Sequence, residues 1–142
     1  MRRAAAAALV VAGIVLPGCA EGESEAVEGY EPAKLQAVKG SELKQVTLTP
    51  EAAKRIGVRT ASVRGSGGRR VVPYSALIYD SDGRTYVYVT PKPLSFVRAA
   101  VAVDRIEGAS ALLRDGPPVG SRVVTTGTSE VFGTELDVAG SE

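Results

Sequence analysis

The chain contains no histidine and no tryptophan, one cysteine, one methionine, and seven aromatic residues (five Tyr, two Phe) among 142 residues. Without histidine, Ser-His-Asp and Cys-His catalysis are excluded, as is any imidazole metal site. A single cysteine cannot close a disulfide within the chain. With so few aromatics, the core has to be built from Val, Ala, Leu and Ile. The formal net charge is only +1, so the basic surplus that a phosphate-binding face requires is missing and nucleic acid is not an expected partner.

The remaining routes to chemistry also close. The glycine-rich Gly65-Ser66-Gly67-Gly68 lacks the strand, lysine and helix context of a phosphate loop and reads as a joint. Asp80-Ser81-Asp82-Gly83 has the look of a calcium loop, but such a loop needs a bidentate carboxylate several residues on. No acid follows Gly83 until Asp104, so turn chemistry is favoured. Nothing selects a carboxylate pair of the glycosidase kind. The sequence therefore points to a non-enzymatic protein with no cofactor and no metal.

What is present begins with "MRRAAAAALVVAGIVLPGC". Two arginines, an apolar stretch from Ala4 to Leu16 and small residues before Cys19 follow the order of an export signal. The apolar stretch is too short to span about 30 Å of hydrocarbon as a helix. Leu16-Pro17-Gly18-Cys19 resembles the lipobox of bacterial lipoproteins. That resemblance implies a signal peptide over 1–18, with Leu16 and Gly18 as recognition positions and Cys19 as the lipid attachment site. Pro17 departs from the pattern, which usually has a small or branched aliphatic residue there. The alternative is an ordinary secreted protein with an incidental cysteine. Acyl chains contribute about 0.8 kcal/mol per buried CH2, enough for a stable anchor when two or more are attached. The expected location is the extracytoplasmic face of the bacterial cell membrane.

Residues 19–30 carry Glu21, Glu23, Glu25 and Glu28 with no basic residue. Low hydrophobicity and one-signed charge predict a solvated acidic tether. Its reach over about 10 residues is on the order of 16–19 Å, which keeps the folded part close to the membrane.

Residues 31–142 form the expected folded domain, and the pattern there is β. "AKLQAV" and "LKQVTLT" alternate, with Leu35, Ala37, Val46 and Leu48 as inward positions around a Gly40 turn. "LTPEAAKRIGV" carries the one helix signal: Thr49 as cap, Pro50 at the first position, Glu51 on the dipole and Gly57 as stop. "VRTASV" reads as a strand and "RGSGGRR" as a flexible basic joint. "VVPYSALIY" and "TYVYV" flank the Asp80–Gly83 turn as a hairpin, with Gly83 at the left-handed position. "TPKP" reads as a break, "LSFVRAAVAV" as an alternating strand, and the rest as two short strands around "DGPPVG" and an apolar patch of Val131, Phe132 and Leu136. These signals predict a mostly β, barrel- or roll-like domain of seven or eight short strands with one short helix.

Three segments carry a further resemblance: "VTLTPEAAKRIGVRTASV", "VVPYSALIYDSDGRTYVYV" and "DGPPVGSRVVTTGTSEVFGTEL". In this order they resemble the periplasmic adaptor (membrane fusion) subunits of efflux transporters, over roughly Val46 to Leu136. The closing segment matches with Gly116, Pro117, Gly120, Val123, Val124 and Gly127. Full adaptors add a lipoyl-like domain, a long helical hairpin and a β-barrel domain. Here no heptad stretch occurs, and Val63 passes to Val71 through seven residues. The resemblance is to the membrane-proximal β domain alone.

It implies a lipid-anchored accessory subunit of an exporter, docking on the extracytoplasmic face of an inner-membrane permease of the resistance-nodulation-division or ABC type. Self-association into a homo-oligomer is left open. Arg69, Arg70, Tyr74 and the "TPKP" segment are the candidate partner contacts. The alternative is a cell-surface lipoprotein that binds a small ligand or envelope polymer.

Overall fold

The computed structural model describes residues 31–139. The lipobox residues Leu16, Gly18 and Cys19 and the acidic tether lie outside the described residues. The described chain is mostly β, as expected: eleven strands in two sheets with two helices. The sheets are open and roll-like, not a closed barrel.

The strands are β1 (Ala33–Ala37), β2 (Lys44–Leu48), β3 (Arg59–Ser62), β4 (Arg64–Ser66), β5 (Arg69–Pro73), β6 (Ile78–Tyr79), β7 (Thr85–Lys92), β8 (Ser95–Ala100), β9 (Ala102–Glu107), β10 (Ser110–Asp115) and β11 (Arg122–Thr126). Helix α1 covers Pro50–Ile56 and α2 covers Thr128–Ala139. One sheet of seven strands runs β1-β2-β8-β7-β11-β3, with β6 also on β7; the second runs β4-β5-β10-β9.

The chain passes between the sheets four times, and two of the crossings turn on a single residue, β3 into β4 through Val63 and β8 into β9 through Val101. Val63 is buried, and its backbone bonds Ser121 and Gly120, each at 2.8 Å. The corner at Val101 is held by its N–H donating to Thr85 O at 3.0 Å. These corners turn a flat sheet into a roll.

The large sheet is covered on both faces, and side-chain alternation distributes its residues between them. Tyr88 of β7 and Val124 of β11 join a cluster with Val46, Leu48, Phe96 and the helix residues Ala52, Ala53 and Val131. Their neighbours Val87 and Val123 join the other cluster, with Val63, Val72, Ala111 and Leu113, against the small sheet. Strands buried on both faces read as continuous apolar runs, which is what "YVYV" and "RVV" are.

Several expectations need correction. Seven or eight strands become eleven, because short pieces such as β4 and β6 pair as strands. "RGSGGRR" is no joint: β4 and β5 form a hairpin, with Gly67 (φ +53°) and Gly68 (φ +75°) making the turn. "VVPYSALIY" is interrupted by a 3-10 turn at Tyr74–Ala76, since Pro73 cannot donate to a ladder. β7 runs through Pro91 and Lys92, so "TPKP" is a strand end and tight turn, not a break. The terminal patch is helix α2, in which Val131 is buried but Leu136 is 54% exposed. Ala37 is exposed at an edge-strand end, and Ala33 takes the inward position instead.

The candidate docking cleft

Helix α1 forms as its residues dictate. Ala52 N–H donates to Thr49 Oγ1 at 3.1 Å, Pro50 opens the first turn, and Gly57 at φ +72° closes the helix with its N–H on Ala53 O at 3.0 Å. Such caps satisfy backbone groups that the helix ends leave open. Its apolar residues Ala52 and Ala53 rest on the large sheet, which leaves Lys54 at the rim.

Opposite α1, the turn between β7 and β8 folds back at Leu94. Leu94 has φ +61°, the one positive φ at a non-glycine among the described residues. Such a conformation costs on the order of 1–3 kcal/mol and persists only where surrounding structure enforces it. Here Leu94 O accepts from Leu48 N–H at 2.9 Å, and its side chain packs on the core.

Between α1, the start of β3 and this turn lies a cleft of about 740 Å³. Ala53, Val58, Leu94 and Phe96 give it an apolar floor, and Lys54, Arg59, Lys92 and Arg122 stand around it. No carboxylate among the described residues lines it. Arg122 lies along Thr60, its Nε 3.0 Å from Thr60 Oγ1. None of these four cations is ion-paired with a carboxylate among the described residues. Thr90 Oγ1, on the wall, is buried without a hydrogen-bond partner among the described residues. The floor of the cleft is apolar and its rim cationic.

No family model, curated protein or solved structure matches this chain.

The "TPKP" segment forms one wall of the cleft through Thr90 to Pro93. Arg69 and Arg70 border a different, smaller groove of about 500 Å³ with Pro118 and Val119. Both are engaged, Arg69 Nε with Asp104 Oδ2 at 3.3 Å and Arg70 Nη1 with Asp115 Oδ1 at 3.6 Å. Tyr74 lines neither cleft; it is 48% exposed, beside the also exposed Tyr79. Partial burial, then the Tyr74 phenol next to it, push the Tyr79 hydroxyl above its ordinary range. The sequence reading missed Lys54, Lys92 and Arg122 individually, because scattered single cations carry no periodic signal.

The Asp80–Gly83 turn uses its carboxylates internally. Asp80 Oδ1 accepts from Asp82 N–H at 3.0 Å and Arg84 N–H at 2.9 Å, and Oδ2 accepts from Arg84 Nε at 2.9 Å. Desolvation works against ionisation of Asp80, but the hydrogen bonds and charge of Arg84 outweigh it and hold the carboxyl below its usual range. Gly83 takes the left-handed position, φ +75°, with its N–H on Asp80 O at 3.0 Å. No group of three or more metal-ligating side chains occurs among the described residues.

A second polar constellation is internal. Glu135 of α2 is buried against the sheet, accepts from the Tyr88 hydroxyl, and pairs with Arg98 Nη2 at 3.0 Å. The Arg98 guanidinium sits over the rings of Tyr86 at 5.1 Å and Phe132 at 5.7 Å. Burial, and then the Glu135 hydrogen bond, push the Tyr88 phenol far above its ordinary range. This cluster fastens α2 to the roll.

Proposed function

We propose that the chain is a lipid-anchored, non-enzymatic accessory subunit of an exporter, held at the extracytoplasmic face of the bacterial cell membrane through Cys19. Its roll docks on the outward face of a permease. The observation that supports this most is the cleft, whose apolar floor and four cations without a carboxylate partner among the described residues fit an acidic protrusion on another protein better than they fit any reaction. The segments that form it, the capped α1 and the "TPKP" turn, fall within the stretch that resembles adaptor subunits. Anchoring raises the local concentration of the roll at the membrane, so a modest docking affinity suffices. On this reading Arg69, Arg70 and Tyr74 are secondary contacts.

The test is photocrosslinking in native membranes from a residue analogue at Lys92, followed by identification of the captured protein. Capture of a transporter component is expected; an abundant bait that captures none would overturn the proposal. One observation favours the second reading, a lipoprotein for a small ligand or envelope polymer: the volume of about 740 Å³ lies within the range of small-molecule sites. Label on a glycan or small molecule, with no protein captured, would select it.

A further inference from the structure

We propose that the cleft takes the chain's own acidic segment, residues 20–30, so that the tether occupies the docking surface until a partner displaces it. The proposal rests on the docking reading for the identity of the site, but it concerns the free protein.

Three observations carry it. The first is charge. Lys54, Arg59, Lys92 and Arg122 surround the cleft without a carboxylate partner among the described residues, whereas Glu21, Glu23, Glu25 and Glu28 lie in the preceding segment without a cation. The same segment supplies apolar side chains for the floor in Ala26, Val27 and Tyr30. The second is position. Where the described chain begins, Pro32 O accepts from Thr49 N–H at 3.0 Å, and Thr49 is the cap of α1, whose Ala53 and Lys54 line the cleft. The neighbouring Leu48 N–H bonds Leu94 O, on the opposite wall. The third is reach. The cleft lies along α1, which is about 10 Å long at 1.5 Å per residue. A chain of about 11 residues has an r.m.s. reach of roughly 17–20 Å. A short linker supplies an effective concentration in the millimolar range, so even a weak segment–cleft interaction is well occupied.

Because the ionic partners are exposed, salt has to weaken the contact: the screening length falls from about 10 Å at 0.1 M to about 3 Å at 1 M. Occupation would also shorten the tether and draw the roll toward its lipid anchor. An acidic protrusion on the permease that takes the cleft would release the tether and let the roll stand away from the membrane.

The experiment compares amide spectra of the processed chain carrying Cys19→Ser with the same chain carrying Glu21→Gln, Glu23→Gln, Glu25→Gln and Glu28→Gln. At low salt, signals of Gly57, Thr60, Lys92 and Leu94 are expected to differ between the two proteins and to converge at high salt. A synthetic peptide of residues 20–30 added to the quadruple variant is expected to restore the original shifts with Kd at or below about 1 mM. Superimposable cleft signals at both salt concentrations would overturn the proposal, as would a peptide Kd above about 10 mM against a millimolar effective concentration. Shifts that grow with protein concentration, alongside a dimer in sedimentation, would also overturn it by making a second copy the occupant. No transporter enters this measurement, so its failure leaves the crosslinking result standing, and the converse holds.

Discussion

Replacing Glu135 by Ala removes the only countercharge, among the described residues, of a largely buried guanidinium. The Arg98 side chain is 21% exposed and that of Glu135 4%. Arg98 Nε already lacks a hydrogen-bond partner among the described residues, which offer the arginine no second acceptor. Breaking a buried pair from one side costs about 3–5 kcal/mol, and an orphaned buried hydroxyl such as that of Tyr88 adds about 1–3 kcal/mol. The residual exposure of Arg98 lets water recover part of this, which brings the expectation below the summed minimum of about 4 kcal/mol, to about 3 kcal/mol. At roughly 4 °C per kcal/mol for a domain of this size, the melting temperature falls by about 12 °C. The assay is urea unfolding of the Cys19→Ser chain followed by circular dichroism, with thermal melts in parallel. Removing both charges in the pair Arg98→Met with Glu135→Leu takes away the uncompensated ion and is expected to recover at least half of the loss. A cost below about 1 kcal/mol for Glu135→Ala, or a double variant less stable than the single, would refute the idea that this pair fastens α2 to the sheet.

Gly127 sits at φ +80°, and a Cβ there would meet Ile56 Cγ2 at 2.5 Å. Gly127→Ala is therefore expected to cost about 2–4 kcal/mol from backbone strain and overpacking. Adding Ile56→Ala should return only the steric part, and an unchanged melting temperature for Gly127→Ala would contradict this packing. The raised Tyr88 phenol makes stability depend on alkaline pH. Folding favours the protonated form, so the contribution is whole below the unfolded value near pH 10 and is lost as pH climbs beyond it, by up to about 1.4 kcal/mol per pH unit. Tyr88→Phe should flatten that slope in urea titrations above pH 10, and an identical slope would sink the assignment. Finally, Cys19→Ser is expected to release the protein from membranes into the soluble extracytoplasmic fraction; full retention in the membrane pellet would rule out lipid attachment at this residue.

The parts of the fold that are legible in the sequence are those with a local cause. Thr49, Pro50 and Gly57 announce both ends of α1, and Asp80 with Gly83 announces its turn, because each acts on backbone atoms within a few residues. What escapes is set by distant partners. Helix α2 contains Thr134 and Gly133, poor helix formers, and its apolar stripe is interrupted by Glu135, whose burial makes sense only once Tyr88 and Arg98 are beside it. "RGSGGRR" has no apolar residue to suggest a strand; β4 forms because β5 has an open edge for it, with Arg64 opposite Val71. The cleft is the extreme case. Lys54, Lys92 and Arg122 come from a helix, a hairpin and a strand, and only the crossing of the chain brings them together.

That origin also separates what holds the protein together from what it presents. The floor of the cleft is rigid by construction: Phe96 belongs to the buried core, α1 is capped at both ends, and the Leu94 turn is pinned to β2. Ile56 and Val58, on the α1 side, pack against the site of Gly127, so the helix cannot shift without disturbing the β11–α2 corner. The four rim cations contribute little to this, since exposed charges without ion-pair partners are worth only tenths of a kcal/mol to stability. The cleft therefore sets long charged side chains on a fixed apolar base. Neutralising Lys92 and Arg122 should alter the salt dependence of whatever the cleft binds while leaving the unfolding midpoint nearly unchanged. Neutralising Glu135 should do the reverse, because its charge is spent inside the fold.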